Sequence, residues 1–338
     1  MRRIAVVLVL VLVAGVWPAA SGVAHGATAA PAAPARSLQA DFNNDGADDL
    51  AVGVPFENVG SIVAAGAVNV LYGSATGLSG TGSQFFTQDT PGIPNNAEQG
   101  DVFGFALATG DFNADTFADL AVGAPGESVG SIVAAGAVNV LYGSPTGLTT
   151  IGSQFFTQVA GAVETDDEFG FELAAGDFNH DTFADLAAGA PFENVGSRAD
   201  AGALSVLPGS AGGLTAVGGQ LFTQVAGTVE AGDQFGFALA TGDFNADTFA
   251  DLAAGAPFED VGSTVDAGAV SVLPGSAGGL TAVGGQLFTQ DTPGVPNNAE
   301  AFDGFGFTLA AGDPGPAAAA SASPSGSSSR TRTAAPSR

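Results

Sequence analysis

Short apolar stretches of period two run through the chain, each cut off by Gly, Pro or Asp. FGFALATGD, from Phe103, alternates apolar and small residues and runs into an acidic loop. DLAVGAP, from Asp119, leaves that loop and stops at Pro125; GAVNVLYGS (from Gly136) and SQFFTQ (from Ser153) follow after glycine-rich turns. Alternation of this kind, rich in Val, Phe, Leu and Tyr and bounded by turn formers, predicts strands. No stretch between Asp41 and Asp313 keeps a helical period, so the expected class is all-β.

The same pattern is written four times. DFNNDGADDL begins at Asp41 and returns as DFNADTFADL at Asp111, DFNHDTFADL at Asp177 and DFNADTFADL at Asp243. The units are 70, 66 and 66 residues long, and a further 70 reaches Asp313, where Pro314 ends the pattern. The longer units carry DTPGIPNNAEQGD or DTPGVPNNAEAFD where the shorter carry VAGAVETDDE or VAGTVEAGDQ, so one loop accounts for the difference. Near-identical units that each hold four short strands predict four-stranded blades that bury their faces on copies of themselves. The array spans 41–313.

The ends read differently. Arg2 and Arg3 precede an apolar run from Ile4 to Val16 and a small-residue stretch, which predicts a secretory signal peptide over 1–26 and a linker over 27–40. That run is shorter than the roughly 20 residues a membrane span needs. Residues 314–338, Pro, Ala, Ser and Gly with three arginines, are expected to be disordered.

Charge narrows the function. The chain has 34 acidic residues against 7 arginines, no lysine and no cysteine, for a net charge of −27. Nucleic acid and anionic lipid are repelled by such a surface. Absent cysteine excludes disulfides and thiolate zinc; absent lysine excludes a P-loop and Schiff-base chemistry.

Phe103-Gly104 ahead of the acidic loop and Gly123-Ala124-Pro125 behind it resemble the FG-GAP repeat of integrin α-subunit propellers and of secreted bacterial proteins. Phe169-Gly170 pairs likewise with Gly189-Ala190-Pro191, and Phe235-Gly236 with Gly255-Ala256-Pro257. The resemblance covers 41–313 and implies a β-propeller with calcium in its blade loops, used for recognition.

The acidic loop supports that expectation through its own chemistry. Asp41, Asn43, Asp45 and Asp49 hold loop positions 1, 3, 5 and 9, with the Ala47 carbonyl available at 7. The later copies supply Asp111, Asn113, Asp115, Phe117 and Asp119; Asp177, Asn179, Asp181, Phe183 and Asp185; and Asp243, Asn245, Asp247, Phe249 and Asp251. Alternate residues of a tight loop aim oxygens at one centre, which suits a hard cation with 6–8 oxygens at about 2.3–2.6 Å. Up to four Ca²⁺ ions are therefore expected. The plainer alternative is that these residues only form Asx-turns. Position 6 is glycine only at Gly46, and is Thr116, Thr182 and Thr248 elsewhere. A positive φ there strains threonine, so the expected dissociation constant is on the order of 10⁻⁴–10⁻³ M.

Three closures fit the repeat count: a four-bladed ring completed by residues 305–312 beside the first unit, an open arc, or part of a longer array. Self-association is a further expectation.

Catalytic candidates are few. His25 lies at the signal junction and His180 at loop position 4. Gly126-Glu127-Ser128-Val129-Gly130 matches a nucleophile-elbow string, but the other units read FENVG or FEDVG there. Glu57, Glu127, Glu193 and Glu259 recur after the GAP proline and are expected on a solvated rim. Asp166-Asp167-Glu168 imitates a hydrolase carboxylate pair, and Arg198-Ala199-Asp200 only approximates an adhesion tripeptide. The expected function is a secreted, non-enzymatic recognition module for an extracellular protein or glycan. An extracellular carboxylate hydrolase and a ligandless scaffold are the alternatives.

Overall fold

The structure, a computed structural model, describes residues 40–312 except 160 and 226. The expected signal peptide, the linker apart from Ala40, and the tail lie outside the described residues.

All regular structure among the described residues is β, in four antiparallel meanders. The first sheet holds β1 (Leu50–Val54), β2 (Ala67–Tyr72) and β3 (Ser79–Phe86). The second holds β4 (Leu107–Gly110), β5 (Asp119–Ala124), β6 (Ala137–Tyr142) and β7 (Thr149–Phe156). The third runs β8 (Leu173–Gly176), β9 (Asp185–Ala190), β10 (Ala203–Leu207) and β11 (Gln220–Phe222); the fourth runs β12 (Leu239–Gly242), β13 (Asp251–Ala256), β14 (Ala269–Leu273) and β15 (Gln286–Phe288). Three blades thus have the four strands expected and the first has three. The FG segment is a turn through Ala106 and becomes a strand only at Leu107.

Each core lies between consecutive sheets. Phe42, Val68 and Val70 of the first unit bury against Leu120, Val122 and Leu141 of the second. Phe112, Val138 and Val140 meet Leu186 and Leu207, and Phe178, Leu204 and Val206 meet Leu252 and Leu273. Burial of this kind is the main stabilising term, and the units supply it only to one another.

The FG and GAP glycines explain each other. Gly104 has φ +88° and its N–H donates to the Gly123 carbonyl of its own blade at 2.9 Å. Its carbonyl presses on Gly53 of the blade before, where a Cβ would stand 1.9 Å from it. Gly170 repeats the arrangement against Gly123 and Gly236 against Gly189, each at 2.2 Å from the would-be Cβ. One glycine therefore pins two blades at backbone distance, and a side chain on either partner forces them apart. Beside it, Phe105, Phe171, Phe237 and Phe307 form a row with centroids 5.0, 5.0 and 4.7 Å apart, a spacing that favours tilted aromatic pairs.

Closure by the C-terminal segment is not formed. Residues 305–312 make no strand and no ladder with β1; instead Gly306 packs on Gly255 of the fourth blade. The edge of β1 accordingly stays open among the described residues.

Candidate metal centres

The four hairpin tips share one hydrogen-bond scheme. In the first, the Asp41 carboxylate accepts the N–H groups of Asp45 (3.0 Å) and Gly46 (2.8 Å). Asn43 Oδ1 accepts Asp45 N–H and Asp45 Oδ1 accepts Ala47 N–H, which are Asx-turn bonds. Asp111, Asp177 and Asp243 take the same pair of donors, including Thr116, Thr182 and Thr248 N–H. Asn113, Asn179 and Asn245 likewise serve Asp115, Asp181 and Asp247, whose Oδ1 atoms accept from Phe117, Phe183 and Phe249. The threonines at position 6 have φ of 79°, 81° and 78°, so the strained conformation foreseen for them is present.

Position 9 has a second task. Both oxygens of buried Asp119 accept backbone N–H groups, from Phe112 (2.9 Å) and from Gly143 (2.9 Å) at the end of β6. Asp49, Asp185 and Asp251 make the equivalent bonds. This aspartate ties the loop to the end of the neighbouring strand of its sheet. Burial pushes Asp119 up to about 8 and Asp185 up to about 6, against the lowering effect of those N–H donors.

The tips also join blades. Ala118 N–H donates to Asp41 O (3.1 Å) and Ser144 N–H to Phe42 O (3.1 Å), and the next two junctions repeat both bonds. Beside the second tip lies an open groove of about 610 Å³, lined by Asn113, Asp115, Tyr142, Thr149 and Ile151 and reaching Ala211 of the third unit.

The glutamates after the GAP proline are not the solvated rim expected. Glu127, Glu193 and Glu259 are buried, and only Glu57 is exposed. Each buried glutamate faces the turn that precedes the FG of its own blade. Gln88 Nε2 donates to Glu127 Oε2 (2.7 Å) and Gln158 Nε2 to Glu193 Oε2 (3.0 Å). Asp101, Asp167 and Asp233 are buried beside them. Asp167, within the Asp166-Asp167-Glu168 run that looked undistinguished, is thus a partner of Glu193, and Asp166 is exposed. Burial first, and then the Asp101 charge, pushes Glu127 up to about 7; burial pushes Asp101 up to about 6.

These junctions were missed because their members come from two consecutive units. The signal was nonetheless written down: E-x-x-D-x-F-G recurs at Glu98, Glu164, Glu230 and Glu300. Each such aspartate accepts the backbone N–H of the glutamate three residues before it. Among the described residues, one trio of acidic side chains has oxygens all within 4.8 Å of one another: Glu98, Asp101 and Glu127.

The remaining candidates fall into place. His180 is exposed on the third tip, with its ring 5.7 Å from Phe249, and His25 lies outside the described residues. Gly126-Glu127-Ser128-Val129-Gly130 leaves β5 into a turn with no helix behind it, so it is not a nucleophile elbow. Arg198 and Asp200 are exposed on and beside the Val195–Arg198 turn. No helix among the described residues is long and apolar enough to cross a membrane.

Stacked antiparallel blades, locked by paired glycines and tipped with acidic hairpins, define a propeller-type repeat protein. The FG-GAP repeat model matches residues 33–71, 103–141, 169–207 and 235–273, and the chain belongs to the FG-GAP repeat proteins. It is 33% identical over 159 residues to phosphatidylinositol-glycan-specific phospholipase D of Bos taurus, a match covering 47% of this chain and 18% of that protein. It is 30% identical over 229 residues to integrin alpha-PS2 of Drosophila melanogaster (65% of this chain, 15% of that one). It is 28% identical over 225 residues to integrin alpha-5 of Xenopus laevis (64% and 19%). The chain therefore spans less than a fifth of the length of these relatives.

Proposed function

We propose that the protein is a secreted recognition module whose hairpin tips bind calcium and whose loops engage an extracellular protein or glycan. The observation that carries this reading is the fourfold recurrence of one oxygen-rich hairpin within repeats similar to those of integrin α subunits. Asp at 1, Asn at 3, Asp at 5 and 9 and a carbonyl at 7 make a hard donor set. In the first copy these donors are Asp41, Asn43, Asp45, Asp49 and Ala47. The N–H bonds use one lone pair of each engaged oxygen and leave others for a cation. Bound calcium would neutralise carboxylates that otherwise repel, so ion binding and blade stability are coupled. The groove beside Asn113 and Asp115 supplies a concave surface next to one such tip.

The non-enzymatic reading rests on repeat symmetry: catalysis ordinarily needs a polar constellation that breaks it. The similarity to a phospholipase D covers 18% of that protein and keeps a hydrolase as the second reading. Panels of extracellular-matrix proteins and glycans, probed in calcium and again in chelator, test the proposal. Calcium-dependent capture of a defined ligand is expected; turnover of a polymer or glycolipid abolished by one Asp or Glu change would replace recognition with catalysis.

A further inference from the structure

The two ends of the array carry the two halves of a contact that the chain makes three times within itself. At each internal junction a tip phenylalanine (Phe42, Phe112 or Phe178) is buried in one cluster with a leucine of the next blade (Leu120, Leu186 or Leu252). A second leucine of that next blade, Leu148, Leu214 or Leu280, joins the cluster. Its carbonyl accepts the side-chain amide of Gln84, Gln154 or Gln220 from the blade before, at 2.9, 3.0 and 2.9 Å. At the ends both halves face solvent. The first blade exposes Leu50 and Val52 and, at the place of Leu148, Leu78 at 52%. The fourth exposes Phe244 and, at the place of Gln220, Gln286. Apolar surface left open in this way marks an interaction site.

The fourth blade also holds the first piece of a following blade. Phe305 N–H donates to Ala267 O (2.9 Å), and Gly306 O lies 2.1 Å from a would-be Cβ on Gly255. Phe103 and Gly104 sit on Ala65 and Gly53 of the first blade in the same way. Within the chain, each FG glycine N–H then donates to the GAP carbonyl of the blade it introduces: Gly104 to Gly123, Gly170 to Gly189, Gly236 to Gly255. No described blade offers Gly306 such a carbonyl. Gly53 offers one, in a unit that has Ala33-Pro34 where the others have Phe-Gly, and proline has no N–H to give.

We propose that the protein associates head to tail, the fourth blade of one copy seating on the first blade of a second copy as consecutive blades meet within the chain. Phe244 packs under Leu50 of the second copy, Gln286 Nε2 donates to its Leu78 carbonyl, and Gly306 N–H donates to its Gly53 carbonyl. Such a contact is heterologous, so copies add in one direction until a ring closes or a filament grows. One residue opposes the fit. Ala184 and Ala250 put their Cβ atoms 2.8 and 3.0 Å from a would-be Cβ on Gly110 and Gly176 of the blade before. The first blade has Asp48 at that position, so a carboxylate is pressed toward Gly242 and the Asp243 tip of the joined copy. Its desolvation and the like charge keep the association weak and reversible.

Sedimentation equilibrium of the whole chain over a range of concentrations tests this, in high salt to screen the net charge of −27. Leu50→Asp breaks the head and Phe244→Asp the tail, both at exposed side chains. Wild type is expected to grow in mass with concentration, and each variant alone to stay monomeric. An equimolar mixture of the two should form a dimer and nothing larger, because one intact head and one intact tail remain. Binding regained in that mixture also shows that both variants are folded. Asp48→Ala, which restores the residue of the internal junctions, should tighten wild-type association by about tenfold or more. A wild type that stays monomeric at every concentration would overturn the proposal. So would association that either single variant leaves intact, a mixture that stays monomeric, or an Asp48→Ala chain that associates no more tightly than wild type.

Discussion

Phe178 and Phe244 occupy the same position of nearly identical hairpins, yet Phe178 is fully buried and Phe244 is 49% exposed. The first is covered by the next blade, whose Ser276 N–H also reaches its carbonyl; the second has no described blade beyond it. The other end mirrors this: Leu120, Leu186 and Leu252 are fully buried, while Leu50 in β1 is 43% exposed. Identical sequence thus yields different environments, and the neighbour decides which. In a stacked array a residue's energetic weight follows its place in the stack as much as its identity.

A pair of matched truncations should separate covered from uncovered rings by the largest margin. Phe112→Ala removes a fully buried ring and should cost about 3–5 kcal/mol, whereas Phe244→Ala should cost no more than about 1 kcal/mol. Denaturation midpoints read the difference, and equal losses would mean that the two ends are covered as well as the middle. Leu120→Ala against Leu50→Ala repeats the test at the other end, with about 2–5 kcal/mol expected for the first and under about 1 for the second.

A third contrast separates the third blade from its neighbours. Glu172 stands where the second and fourth blades have Ala106 and Ala238, and burial pushes its carboxyl up to about 7. A carboxyl raised in the folded state favours folding while protonated. That contribution is complete below about pH 4 and is lost as pH rises through about 7. Glu172→Ala should therefore raise the melting temperature at pH 8 and give no such gain at pH 4. The smallest effect is expected at loop position 6. Thr116→Gly relieves a positive φ and should stabilise by about 0.5–1 kcal/mol after the flexibility of the unfolded glycine is offset, whereas Gly46→Thr should lose a similar amount.

Much of this architecture was legible in the sequence because the repeats state each rule four times. The strand from Asp119 to Ala124 and its copies follow from alternation bounded by Asp and Pro, and the FG and GAP glycines from their recurrence. Local hydrogen bonding in the tips followed too, since Asp and Asn act within a few residues of themselves. What alternation did not reveal was contact between units. Glu127, Glu193 and Glu259 look like rim residues in a linear string, and only the fold brings Asp101, Asp167 and Asp233 against them. Nor did repetition show that Gly126, a departure from phenylalanine, opens room for a backbone.

Calcium binding by the hairpin aspartates can be read at loop position 5. Asparagine at 45, 115, 181 and 247 keeps an oxygen to accept the position 7 N–H while removing the charge. Thermal melting of wild type and of Asp45→Asn/Asp115→Asn/Asp181→Asn/Asp247→Asn, each in calcium and in chelator, gives four temperatures. Calcium at a hundred times its dissociation constant should stabilise wild type by about 2.7 kcal/mol per occupied site. The variant should melt above wild type in chelator and lose most of the response to calcium. If instead wild type melts at one temperature in both conditions, or the variant gains as much from calcium as wild type does, the hairpins are Asx-turns and the claim is wrong.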